Sequence, residues 1–423
     1  MPNRIDIDDL LAPRLTERQR QMIAAAEAHP IELTEEVVLR AAQAATGLSD
    51  FGAADFHERL RRLIDEWTAD KRARALKRAF LMRYLVRYAS NRLLIRDVLK
   101  RHPEIHDEPI ERPIIVVGLP RSGTTHLLNL LGADTRLRST PLWEINEPVP
   151  NPLEPPRADG VDPRYARAAE QWEASQKSNP LSAAMHPMEP DHFHEDLELM
   201  CPDFASYNFE WIARSPKWRD YYLSTDQTPH YQYMKTALKI LQWRDVQAGK
   251  PRKRWVTKCP QHLEQLPVLQ KVFPDAIVAI TYRDPVEVIQ SAVTMLAYGE
   301  RMFYPDIDAA GLLGYWTDRI ERLLRACVRD RRLWPETQSI DVPFETFMVD
   351  DLAIVRQVRA KAGLPETETA DREVMDFIAR HRRGRYGQVV YKLERDFGVS
   401  PEELRKRFDF YFDAFPFLRR PKD

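Results

Sequence analysis

The residues best suited to chemistry in this chain sit in one short run, Gly118-Leu119-Pro120-Arg121-Ser122-Gly123-Thr124-Thr125. It falls between an apolar stretch ending at Val117 and a helical pattern from His126 to Leu131. Gly-x-x-x-x-Gly at a strand-to-helix turn lets the backbone curl, so that successive N–H groups and a helix N-terminus converge on an anion. Gly118, Ser122, Gly123, Thr124, Thr125 and His126 are therefore candidate anion-binding residues, with the threonines adding hydroxyl donors. This is the arrangement of a phosphate loop, and its departure from the nucleotide triphosphatase version is equally informative. The position that version reserves for Lys is Thr124, and the cation has moved into the loop as Arg121. The strand expected at Ala276–Tyr282 ends in Arg283, where a magnesium-binding Asp would stand. A site that holds an anion without a metal is expected.

The elements that must position these residues are legible from hydrophobic pattern. Pro113 to Val117 is a short β-branched run ended by Gly118, as for a strand buried on both faces. A second run, Ala276–Tyr282, follows the helical stretch LEQLPVLQKVF, which gives the order of a βαβ unit. Gln338–Val342 is a third strand candidate before a helical run at Asp351–Ala362, and Pro401–Phe415 reads as a terminal helix. The expected fold is α/β, a three-layer phosphate-loop architecture with a central parallel sheet flanked by helices, plus a helical N-terminal layer. Residues 1–110 form that layer, and residues 111–423 form the α/β domain, with a helical, aromatic-rich insertion at about 141–250. The segment Lys71–Arg101 sets Leu76, Phe80, Tyr84, Leu85 and Tyr88 against several Lys and Arg residues. Packing of that stripe on the core is expected ahead of a membrane-surface role.

Composition narrows the partners. Lys plus Arg number 63 against 64 Asp plus Glu, a net charge of -1 that argues against a nucleic-acid binder. Four of only 14 glycines, Gly118, Gly123, Gly384 and Gly387, fall in two short segments, so glycine is concentrated where backbone would approach a ligand. Three scattered cysteines fit no disulfide framework and suggest a reducing, cytoplasmic setting. The N-terminus carries acids where a secretory signal would be apolar, and no window approaches the roughly 18 to 20 apolar residues of a spanning helix.

The run Pro-Arg-Ser-Gly-Thr-Thr resembles the 5′-phosphosulfate loop of the sulfotransferases that use 3′-phosphoadenosine 5′-phosphosulfate (PAPS) as sulfuryl donor. A second block, Trp255 to His262 and then Arg283-Asp284-Pro285 to Ser291, resembles that family's 3′-phosphate element. There an Arg ending a strand and a Ser on the next helix hold the phosphate. Ser291 follows Arg283 by about two helical turns, so hydroxyl and guanidinium fork can face one anion. A third block, His381-Arg382-Arg383-Gly384-Arg385-Tyr386-Gly387, is similar to the segment that closes over the same phosphate, and Phe344-Glu345 stands where the family lies near adenine. The three motifs keep the family's order over roughly 113–398. The resemblance implies PAPS as cofactor, Arg121 on the bridging and 5′-phosphate oxygens, and Lys258 against the transferring group. Arg283, Ser291, Phe344, Arg382, Arg383 and Gly384 complete the nucleotide contacts.

The base that takes the acceptor's proton is open. One branch of the family uses a His two residues after the Lys, but that position is Pro260. A second branch uses a Glu one short helix past the phosphate loop, a place filled by Glu144 beside Trp143. Glu144 is favoured over Glu147, His262 and the His192/His194 pair, because a carboxylate beside an indole can have its pKa raised toward neutral. His192, His194, Glu195 and Asp196 read as an acidic helix start or a substrate rim, since no third ligand at metal-site spacing accompanies them. Aromatic residues are dense from Phe193 to Trp243 and favour a small apolar or ring-bearing acceptor carrying a hydroxyl or amine. The rival readings are a magnesium-dependent phosphate-loop kinase or nucleotide hydrolase, and a non-catalytic nucleotide-binding scaffold.

Overall fold

The computed structural model describes residues 3–419. Its strands are, in chain order, β1 (Arg4–Ile5), β2 (Ile114–Gly118), β3 (Leu137–Arg138), β4 (Arg254–Lys258), β5 (Ile277–Tyr282), β6 (Ser339–Pro343) and β7 (Gln388–Val389). Five of them form one sheet in the order β3-β4-β2-β5-β6, with every pairing parallel. Strand β2 lies at its centre, with Ile114 opposite both Val256 and Ile277.

All five residues of β2 are buried, because both sheet faces are covered. Side chains alternate between two layers, as a pleated strand requires. Ile115, Val117, Val278 and Ile280 pack on one side with helices Thr228–Gln247 and Ala309–Asp330. Ile114, Val116, Ile277 and Ala279 pack on the other with helices Thr124–Gly132 and Asp351–Lys361. The parallel sheet between helical layers agrees with the expected fold class.

Four N-terminal helices, Glu17–Ala28, Glu35–Thr46, Phe56–Ala69 and Ala75–Arg101, precede the sheet. The last three share a core with residues of the insertion: Leu60, Leu85 and Tyr88 pack with Phe204, Phe209 and Trp218. A buried hub ties the two regions together. The Asp203 carboxylate accepts from Arg59 and Arg92 at 2.8 Å each, and lies 2.5 Å from His230 Nδ1.

Two local expectations change, and one pairing is added. The stretch LEQLPVLQKVF is a 3₁₀ turn, Pro260–Glu264, followed by helix Leu266–Val272. The terminal helix is two, Pro401–Lys406 and Asp409–Ala414, because the chain breaks to bury Phe408 fully. A small ladder joins the ends of the chain: β1 pairs in parallel with β7, with Ile5 opposite Val389. No helix among the described residues is long and apolar enough to cross a membrane.

Candidate active site

The loop after β2 is shaped by what lies under it. A Cβ at Gly118 would stand 2.0 Å from Thr281 Oγ1 on β5, so only glycine fits that crossing. Ser122 is fully buried; its hydroxyl donates to the Leu119 carbonyl at 2.5 Å and shares a 2.7 Å hydrogen bond with Thr281. Gly118 and the Ser122 side chain fix the loop, and neither residue lines the cavities described below. Arg121 takes a left-handed φ of 64°, uncommon for a residue with a Cβ. Gly123 follows at φ 86° as the N-cap of helix Thr124–Gly132.

The first two motifs interlock around Arg121. Its Nε donates to Ser291 Oγ at 3.0 Å, and Ser291 in turn donates to Tyr391 Oη at 3.0 Å. Arg283 donates to the Arg121 carbonyl at 2.5 Å and lies 4.0 Å over the Phe344 ring. Burial draws the Arg283 guanidinium below its usual pKa; Glu287 opposes that and the neighbouring Arg121 adds to it. Two crowded guanidiniums, one of them bonded only to a hydroxyl and a carbonyl, are groups that a polyanion would relieve.

Lys258 ends β4 fully buried. Its ammonium donates to Thr125 Oγ1 at 2.8 Å and to the Glu195 carboxylate. Two cavities meet here, sharing Arg121, Thr124, Thr125 and His186. One, of about 350 Å³, is lined also by Gly123, His126, Arg283, Phe344, Arg382, Arg383 and Gly384. The third motif thus faces the first two across a single space. His126 lies 3.1 Å from Asp351, which also binds Arg383. The segment carrying Gly384 is pinned from outside, where Glu189 accepts from both Arg385 and Tyr386. The second cavity, of about 300 Å³, has apolar walls that include Phe80, Tyr84, Trp211 and Trp316. Helix Ala75–Arg101 of the N-terminal layer supplies two of these.

The favoured base is not brought to this junction. Both Glu144 oxygens accept from Arg138 Nη2, at 2.8 and 2.7 Å, and Arg138 also binds Asp245. Glu144 lines neither cavity, because its short helix, Leu142–Asn146, turns the carboxylate toward edge strand β3. Glu147 is likewise held by Arg167. His262 is sealed beneath the site between Asp196 and Tyr231. His192 reaches the first cavity and His194 the second. Burial holds His192 down to about 3, and His194 and His186 well below the usual histidine range.

The carboxylate that does stand at the junction is Glu195. Sequence gave no signal for its partnership with Lys258, since the two are 63 residues apart and meet only through the fold. Asp196, Cys259 and His262 bring three ligand atoms within 4.8 Å of one another. Burial pushes the Cys259 thiol well above its usual range.

The arrangement can therefore hold an anion in one chamber and an apolar molecule in the other, with Arg121 on the wall they share and Lys258 buried behind Thr125. Among curated proteins the chain has no matching relative. Of solved structures, it is similar to the sulfotransferase STF1 from Mycobacterium tuberculosis, with 26% identity, a TM-score of 0.76, and 89% of this chain and 98% of that one covered. Its fold also matches that of the sulfotransferase STF9 from Mycobacterium avium, at 23% identity and a TM-score of 0.78, over 90% of this chain and 96% of that one. The sulfotransferase family model matches residues 113–368, which take in the phosphate loop, Lys258, Arg283 and Ser291. By that match, the chain belongs to the sulfotransferase family.

Proposed function

We propose that this protein transfers a sulfuryl group from PAPS to a hydroxyl or amine of a small apolar or ring-bearing acceptor, in line and without a metal. The observation that carries the reading is the pair of cavities joined at Arg121, Thr124 and Thr125, with Lys258 bonded to Thr125 at the junction. When bound, PAPS supplies the activated sulfuryl group. The residues fit it: Arg121, Thr124, Thr125 and the helix N-terminus offer donors to the 5′-phosphosulfate end. Arg283, Ser291, Arg382 and Arg383 would hold the 3′-phosphate, and Phe344 would lie beside the adenine. Lys258 steadies negative charge at the transferring group, and fixed donors of this kind need no reorganisation during reaction. Glu195, in the acceptor chamber and already bonded to Lys258, accepts the proton of the attacking hydroxyl. Three free, buried cysteines suit a reducing compartment.

Calorimetric titration tests the donor assignment. The product nucleotide 3′-phosphoadenosine 5′-phosphate should bind at least about tenfold tighter than AMP or ATP, because only it engages the Arg283 and Ser291 site. Equal affinity for the three nucleotides would overturn the reading.

A further inference from the structure

The acceptor chamber has a second polar pole. Helix Pro285–Glu300 forms one wall of it: Ser291 touches Arg121 at the reacting end, Met295, Leu296 and Gly299 line the middle, and Glu300 stands at the far end. Nine residues at the α-helical rise put Glu300 about 13 Å beyond Ser291. A Cβ placed on Gly299 would meet nothing within 4 Å, so the space beside that turn is open.

The other carboxylates of the chamber are all bonded. Glu195 holds Lys258, Glu198 accepts from Arg87 and Asn208, and Glu210 accepts from Arg319. Glu300 is partly buried and makes no side-chain hydrogen bond; burial raises its pKa, the longer-range charges of Arg214, Lys77 and Arg72 oppose that, and Asp308 adds to it. The nearby cations have other partners. Lys77 donates to the Ile212 carbonyl at 2.5 Å between the Phe80 and Phe303 rings, and Arg214 pairs with Asp308 at 3.0 Å. A half-sheltered carboxylate at the end of an apolar slot has unused acceptor capacity pointing to a ligand donor.

We infer that Glu300 is a recognition residue for the acceptor, and that the acceptor class is an elongated apolar alcohol or phenol with a hydrogen-bond donor, a hydroxyl or an ammonium, at the end remote from the reacting oxygen. This rests on the sulfotransferase reading and adds to it a length and a second functional group. The middle of such a molecule packs against Trp211, Met295 and Trp316. Its far donor meets Glu300, while its reacting hydroxyl lies near Glu195.

The test uses the full chain saturated with 3′-phosphoadenosine 5′-phosphate and two matched probes, 4-(4-aminobutyl)phenol and 4-butylphenol, titrated by calorimetry. Wild type should bind the amine about tenfold tighter or better, the size of effect expected of a charge-assisted hydrogen bond. In Glu300→Gln that preference should collapse toward unity, with 4-butylphenol and the nucleotide bound as before. Unchanged nucleotide affinity shows that the variant is folded. Nucleotide binding with no preference between the phenols in wild type, with neither phenol bound, or with a preference that survives in Glu300→Gln, overturns the inference alone. Failure of wild type to bind the nucleotide removes the sulfotransferase reading, and the inference with it.

Discussion

At the scale of single residues, the proposed site divides into side chains that line a cavity and side chains that hold others in place. Glu195→Gln should keep nucleotide affinity, since the amide oxygen can still accept from Lys258, while kcat falls by about 10² to 10⁴. Glu144→Gln should leave kcat near wild type, because that carboxylate serves Arg138 at the sheet edge. Steady-state kinetics on both variants checks the pair, and a loss confined to Glu144→Gln would return the base to that residue. The contrast shows how far sequence reaches at this scale. The meeting of Arg121, Lys258, Arg283 and Ser291 around the phosphate loop was legible because each sits within a compact motif. Glu195 was not, because it lies in a loop and its neighbour Lys258 arrives from strand β4. The histidines add a pH effect. His192 is neutral in the fold down to about 3, whereas the unfolded chain takes up that proton near 6.5. Below about 6.5 the unfolded state binds more protons, so stability falls as pH drops through the window from 6.5 to 3. His186 and His194 act in the same direction. Melting temperature should decline over that range, and His192→Gln should make the decline shallower.

At the scale of elements, the long signals were readable and the short ones were not. Strands β2 and β5 declared themselves as apolar, β-branched runs and β6 as a shorter candidate, each within a residue of its ends. Strands β1, β3 and β7 have two residues each, too few for any period to register. Yet the β1–β7 ladder follows directly on the segment carrying Arg382, Arg383 and Gly384. Gly387, at φ 97°, sits where a Cβ would come within 2.5 Å of Ile5 Cδ1. Gly387→Ala should therefore strain the ladder at a cost of about 1 to 3 kcal/mol and weaken nucleotide binding more than acceptor binding. Urea unfolding and nucleotide titration check the two halves of this expectation; a variant with unaltered nucleotide affinity would detach the ladder from the site.

At the scale of the molecule, the N-terminal helices were legible as a layer but not as part of the site. Their amphipathic stripe says that they pack, and only the fold says that Phe80 and Tyr84 form a wall of the apolar cavity. The joint between layer and insertion is the Asp203 hub. Asp203→Ala strands Arg59 and Arg92 in a buried setting and should cost about 3 to 5 kcal/mol by urea denaturation. A loss below about 1 kcal/mol would mean that the hub relaxes to water. Finally, the two chambers share one wall but have separate linings, so neither reactant has to leave before the other arrives. On the proposed reaction, initial-rate lines at varied donor and acceptor concentrations should intersect. Parallel lines would instead signify a sulfated enzyme intermediate, for which a site holding both partners at once has no need.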